Sequence, residues 1–249
     1  MNFGTHGFPR GLGLSSGLFG FDLPSYKFPE PYFNLVELLL QGEGVNNGTV
    51  ITDSSSRSRF ITRIGNVVTS TDQIKYGTSS LFFPATGGTN YLETLTDSGL
   101  TFGSGDLTFE VWVRFTSIGV TTAIMGNAQG FSWGDAGIFL CASANEFRFR
   151  NWVTLNGAFF STTIALNTWY HVAATKVGTT ARIWVNGIEG TSGTVELNNI
   201  ANPKFTLGSV ISGAGFSSLF QGYMKGARVT KGVARYTTNF NPETDTYLR

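Results

Sequence analysis

The stretch from Leu107 to Phe115 constrains this chain more than any other. Its odd positions are Leu107, Phe109, Val111, Val113 and Phe115; its even positions are Thr108, Glu110, Trp112 and Arg114. A period of two with one apolar face belongs to a strand packed on one side. Shorter runs of the same kind are read at 35–40, 50–56, 64–69, 80–83, 90–92, 123–125, 137–141, 147–153, 167–175, 180–188, 205–208 and 222–229. No 3.6-residue period holds over a long window. Asn186-Gly187 predicts a tight hairpin, because a type I′ turn needs positive φ at both central residues. Many short antiparallel strands separated by turns predict two packed sheets.

Composition agrees. A chain of 249 residues with 41% hydrophobic content suits one large all-β domain with a real core. The 32 glycines and 22 phenylalanines fit short strands joined by tight turns. A net charge of +1 argues against a broad basic field for nucleic acid. The single cysteine, Cys141, has no partner for an internal disulfide. No apolar run of about 18 residues is present, so no membrane insertion is expected.

Residues 1–33 read differently. They hold Pro9, Pro24, Pro29 and Pro31, which argue against a helix or a central strand. They also carry Phe3, Phe8, Leu12, Leu14, Leu18, Phe19, Phe21, Tyr26 and Phe28, too apolar for a plain linker. The expectation is an extended arm that buries these side chains, against a partner or against its own domain. The apolar stretch 11–21 is read as part of this arm and not as a signal peptide, being rich in Gly and Ser.

Catalytic constellations are sparse. Carboxylates two apart on one strand face would give a close pair for glycoside hydrolysis. Glu243 and Asp245 are the one such spacing, and they sit in the tail behind Pro242. His6 and His171, with Cys141, are too few for a Cys/His zinc site. The chain is therefore expected not to be an enzyme, with His171 a structural imidazole. Trp112, Trp133 and Trp184 are candidates for stacking on a sugar or anchoring a partner. Lys225, Arg228, Lys231 and Arg235 are candidates for a basic partner surface. The alternative for all seven is ordinary core, rim or solvated strand face.

Several segments carry a family resemblance. Ser79, Ser80, Leu81, Phe82 and Phe83 followed by Asn90, Tyr91 and Leu92 form one; the run from Phe102 to Val113 is another. Trp169, Tyr170, His171, Val172 and Ala173, with Ile183-Trp184-Val185-Asn186-Gly187, form a third. The run from Thr230 to Tyr236 closes the series. Together they resemble a laminin-G-like domain of the type found in bacteriophage virion proteins. The resemblance spans 34–247 and implies an all-β, two-sheet antiparallel jelly-roll sandwich, concanavalin A-like, with the arm 1–33 ahead of a domain at 34–249.

The resemblance further implies a non-enzymatic structural component of a phage virion, made in the host cytoplasm: a capsid decoration or tail-fibre protein anchored by its arm. Its partners would be other virion proteins in a homo-oligomer, with a trimer one option. The alternative is a carbohydrate-binding adhesin for host surface glycans, and a minor alternative is a glycan depolymerase. Relatives of this kind sometimes bind calcium. Here Asn90 and Lys225 stand where acids are frequent, so no cofactor is expected. If calcium binds, Asp53, Asp97 and Asp135 are its loop candidates; otherwise they are turn aspartates capping backbone N–H groups.

Overall fold

A computed structural model describes residues 30–244, apart from 128, 131–136, 152–153, 196–199, 201–202, 213–214 and 218. Among the described residues, three sheets form. The first holds β1 (Val36–Leu40), β3 (Val68–Ser70), β4 (Ser80–Phe83), β6 (Leu107–Ser117), β12 (Trp169–Val177), β13 (Thr180–Val185), β14 (Ile188–Glu189), β15 (Gly193–Thr194) and β19 (Gln221–Lys231). Its order is β14-β13-β12-β6-β19-β4-β3, with β1 along β19 and β15 along β13. The second holds β2 (Ile61–Ile64), β5 (Tyr91–Thr94), β7 (Thr122–Gly126), β9 (Ile138–Ser143), β10 (Glu146–Asn151), β11 (Gly157–Ser161) and β16 (Thr206–Leu207), in the order β11-β10-β9-β7-β16-β5-β2. A small third sheet joins β8 (Gln129–Gly130), β17 (Val210–Ser212) and β18 (Gly215–Ser217).

The two large sheets are antiparallel and face each other across one apolar core. Phe109 of β6 is at its centre, edge-on to Phe102, Phe149 and Phe205 at centroid separations of 5.2, 5.7 and 5.2 Å. Phe115 packs on Phe147 and Phe220 further along. The chain is thus an all-β, two-sheet antiparallel sandwich, as the alternation from Leu107 to Phe115 predicts.

The predicted hairpin is present. Asn186 and Gly187 take φ of 51° and 79° between the paired residues Val185 and Ile188. Three local expectations differ. The run 64–69 is broken by a turn at Gly65 and Asn66, leaving Ile64 in β2 of the second sheet and Val68 in β3 of the first. Residues 50–56 form no strand; Asp53 makes a lone bridge to Leu40 because its carboxylate accepts the Leu39 N–H at 2.9 Å. Residues 157–161 do form one, β11, although Phe159 and Phe160 stand side by side and break any alternation.

The outer face of the first sheet is covered. After β19 the chain turns back over β6, β12 and β13 as a strap, residues 232–244. Thr108 Oγ donates to Val233 O at 3.0 Å and accepts the Arg235 N–H at 2.9 Å. The Phe240 N–H reaches Gly187 O at 3.0 Å, and Trp112 Nε1 donates to Glu243 O at 2.9 Å. Gly187 makes the crossing possible: a Cβ there would lie 1.8 Å from Phe240 O. Both faces of β6 are therefore buried, and its alternation is one of chemistry, not of exposure.

The nine arm positions Phe3, Phe8, Leu12, Leu14, Leu18, Phe19, Phe21, Tyr26 and Phe28, and also Trp133 and Asp135, lie outside the described residues.

Candidate functional site

The strap covers Trp112, Trp184 and the basic residues of β19, so the described members of the candidate partner surface pack inside the fold. Trp112 and Trp184 do point to the outer face of the first sheet, but they are buried there. Trp184 packs against Tyr236 and Phe240 of the strap, and those two rings stack on each other 3.6 Å apart. Lys75 Nζ sits 3.9 Å from the Trp112 ring centroid. Lys225 is fully buried, donating to Ser79 O at 2.6 Å and to the Glu43 carboxylate. Arg228 is held by Glu110 Oε1 at 2.8 Å and by Glu30. Arg235 meets Glu30 and donates to Thr230 Oγ at 2.8 Å. Lys231 is half-buried and donates to Gly99 O at 3.1 Å. A charge in a sheet centre must be paired to be tolerated, and these are. His171 lies in the same layer, between Trp112 and Phe240, with Nε2 3.5 Å from Glu110 Oε2.

The loop acids are also engaged. Asp53 accepts from the N–H groups of Leu39, Ser55 and Arg59 and from Ser55 Oγ. Asp97 accepts the Gly99 N–H at 2.7 Å, capping a short 3-10 turn, and pairs with Arg59 Nε at 2.8 Å. Their oxygens are taken up by N–H and guanidinium donors, so the calcium reading of Asp53 and Asp97 is replaced by a bracing one. No group of three metal-ligating side chains occurs among the described residues.

Electrostatics here give a pH prediction. Burial works to raise the Asp97 carboxyl, but Gly99, Arg59 and Arg57 together hold it below its ordinary value of 3.8. Burial works the same way on Glu43, and Lys225 with Thr78 hold it below 4.5. Both acids are harder to protonate folded than unfolded. The stability they add is complete above those ordinary values and is lost as pH falls through the folded ones. Thermal melts between pH 6 and pH 2 are expected to show a falling Tm below about 4.5, and Asp97→Asn is expected to flatten the decline.

An open site lies on the outer face of the second sheet. On β10, Phe147 and Phe149 point into the core, so Glu146, Arg148 and Arg150 point out. On β9, Phe139 and Cys141 point the same way and join Ala123 and Val210 in a separate apolar cluster. Val210 belongs to β17, so the small third sheet covers the β7–β9 part of this face. Over β10 and β11 a trough of about 200 Å³ remains, walled by Glu146, Arg148, Arg150, Leu155, Gly157 and Phe159.

Register fixes the walls. Phe159 stands directly across from Arg148, and Gly157 across from Arg150. Phe159 is 40% exposed, and its backbone is held by two hydrogen bonds to Thr191. Gly157 packs so tightly that a Cβ would lie 2.0 Å from Phe149 O and 2.7 Å from the Arg150 Cα, so only glycine lets β11 approach β10 this closely. Arg148 pairs with Glu146. The Arg150 guanidinium lies over the buried Phe139 ring, 5.2 Å from its centroid. Behind it, burial pushes the Cys141 thiol up to about 11, against the opposing pull of Arg150 and Arg148. The thiol stays buried and neutral beneath Arg150, and the polar lining of the trough is rich in donors.

A second cavity of similar size lies between residues 41–43 and 51–54, with Thr69 and Leu81, and its lining includes no aromatic ring. Sequence reasoning missed the trough. The alternation of Arg148 and Arg150 with Phe147 and Phe149 was the available signal, but without β11 it had no second wall.

Comparison places this geometry among known folds. Domain 4 of AbnA, a GH43 extracellular arabinanase from Geobacillus stearothermophilus, in complex with arabinotriose, is similar at TM-score 0.56 and 16% identity, over 79% of this chain and 92% of that one. The binding domain of botulinum neurotoxin DC in complex with rat synaptotagmin II is similar at TM-score 0.59 and 14% identity, over 82% of this chain and 50% of that one. The same binding domain in complex with SialylT gives TM-score 0.58, 15% identity, and 81% and 49% coverage. The chain thus spans about half of the neurotoxin domains. No curated protein matches it. Residues 86–234 match the Laminin_G_3 family. That match takes in β6, β12 and β13, the trough strands β10 and β11, and the start of the strap, and the chain belongs to the concanavalin A-like lectin/glucanases superfamily.

Proposed function

We propose that this chain is a non-catalytic glycan-binding domain and that the β10–β11 trough is its binding face. The observation that carries the reading is Phe159, a part-exposed ring whose backbone is pinned to Thr191, beside two guanidinium groups and an unfilled space. A flat apolar ring next to fixed hydrogen-bond donors suits a sugar, which offers C–H faces and oxygen acceptors together. The structural neighbours in complex with arabinotriose and with SialylT support the same reading.

The trough is smaller than the roughly 300–1,000 Å³ of drug-sized pockets, so it takes one sugar ring of a longer chain. A ring of about 12 non-hydrogen atoms, at about 0.3 kcal/mol each, gives about 4 kcal/mol. That corresponds to Kd of about 1 mM per site, so useful avidity requires several copies or a repeated ligand. Hydrolysis is not part of the proposal. It needs two carboxyls flanking the bond, and Glu146, the one acid in this wall, is held by Arg148.

The virion reading leaned most on the run from Thr230 to Tyr236. In the fold those residues end β19 and begin the strap, where Arg235 and Tyr236 are consumed in packing over Glu110. The run is thereby accounted for by the architecture, and the balance of support moves to glycan binding. The test is a glycan screen with wild type and Phe159→Ala. Binding that weakens at least tenfold in the variant, about 1.4 kcal/mol, is the expected result. An unchanged affinity would remove the trough from the site.

A further inference from the structure

We propose that the trough selects an acidic glycan, with a carboxylate or sulfate group of the sugar seated on the Arg150 guanidinium; this rests on the glycan-binding reading above. Three features of the wall lead there. First, the charges do not balance. Glu146 is committed to Arg148, and among the described residues no carboxylate lies within ion-pair distance of Arg150. Among the described residues, the wall therefore carries one positive charge in excess. Second, Arg150 itself lines the trough. An anionic group over Arg150 brings several acceptor oxygens to a planar fork whose geometry matches carboxylate and sulfate. Third, the fork is pre-set. It rests on the fully buried Phe139 ring, 5.2 Å from its centroid. Little ordering is then required when the ligand arrives.

The remaining chemistry points the same way. The hydroxyls of a neutral sugar both donate and accept, so its recognition needs acceptors as well as donors. Here the one carboxylate in the wall is already occupied by Arg148, so hydroxyl donors find few partners and acceptor-rich groups find many. Phe159 would then hold the face of the sugar ring while Arg150 holds its charge.

The experiment uses the full chain and a panel of tetrasaccharides in matched pairs: uronic-acid chains with their methyl esters, and sulfated galactans with their desulfated forms. Binding is read by titration calorimetry at 50 and 500 mM NaCl, with wild type, Arg150→Gln and Arg150→Lys. Thermal melts confirm that each variant is folded. The expected result is that at least one acidic member binds tenfold or more tightly than its neutral partner. That preference should shrink at high salt, be lost in Arg150→Gln and be partly kept in Arg150→Lys. The uronate and sulfate arms tell the two sources of charge apart. Equal binding of acidic and neutral partners, unaffected by Arg150→Gln, would overturn the acidic selection and leave the glycan reading intact. Failure of every acidic member to bind would overturn the selection too, and the wider screen with Phe159→Ala then judges the glycan reading separately. Should Arg150→Gln fail to fold, the salt dependence and paired-ligand preference of wild type decide the question alone.

Discussion

Glu110→Ala is expected to destabilise the sandwich by about 3–5 kcal/mol, the cost of breaking a buried ion pair from one side. Glu110 is fully buried in the middle of β6, with Ala173 of β12 on one side and Arg228 of β19 on the other. Its carboxylate accepts from Arg228 Nε at 2.8 Å and from the Tyr236 hydroxyl at 2.7 Å. Without it, Arg228 and Arg235 are left to share Glu30, and Tyr236 loses its acceptor. The strap loses the polar contact that ties its middle to the sheet. For a domain of this size each kcal/mol is worth roughly 2–4 °C, so Tm should fall by roughly 6–20 °C. Urea unfolding should show a lower midpoint with an unchanged slope. Glu110→Gln keeps the shape and one acceptor and should lose less. A loss under about 1 kcal/mol in Glu110→Ala would mean that the layer under the strap is screened by water.

Phe109→Ala should cost a similar amount, about 3–5 kcal/mol, by a different route. The ring is fully buried between the two large sheets and is surrounded by Phe102, Phe149 and Phe205. Those three rings come from different elements and cannot all collapse into the space it leaves. A loss near the low end would show that the neighbours relax into the cavity, and a crystal structure of the variant would show which ring moved. Phe109 and Glu110 are adjacent in sequence but serve opposite faces of β6 with no shared partners. They share one backbone, so a double-mutant cycle measures how far a shift of β6 couples them.

The same two residues show what could be read from the sequence. The alternation from Leu107 to Phe115 identified the strand, its core face and hence the sandwich, because period two is a local property of the backbone. Asn186-Gly187 identified its turn for the same reason. The fate of the other face was not local. Whether Trp112 meets solvent or a strap depends on Glu243, 131 positions away, and no spacing within β6 encodes that. Arg228 and Lys225 read as a basic surface because their acidic partners, Glu30, Glu110 and Glu43, are scattered along the chain. Asp53 and Asp97 read as loop acids until their donors, from residues 39, 55, 59 and 99, were brought to them by folding. The trough was hidden for a related reason. Its aromatic wall, Phe159, lies on an edge strand whose two adjacent phenylalanines carry no period at all, and the register that sets it against Arg148 is a product of pairing.

The measurement that tests the central claim most directly is amide chemical-shift mapping of the domain while it is titrated with an oligosaccharide taken from the screen. Glycan binding at the trough predicts shifts concentrated at residues 146–150 and 157–161 and at Thr191, with the strap and its neighbours unchanged. Shifts concentrated instead around the cavity at residues 41–43 and 51–54, or at the edge of the strap, would contradict it.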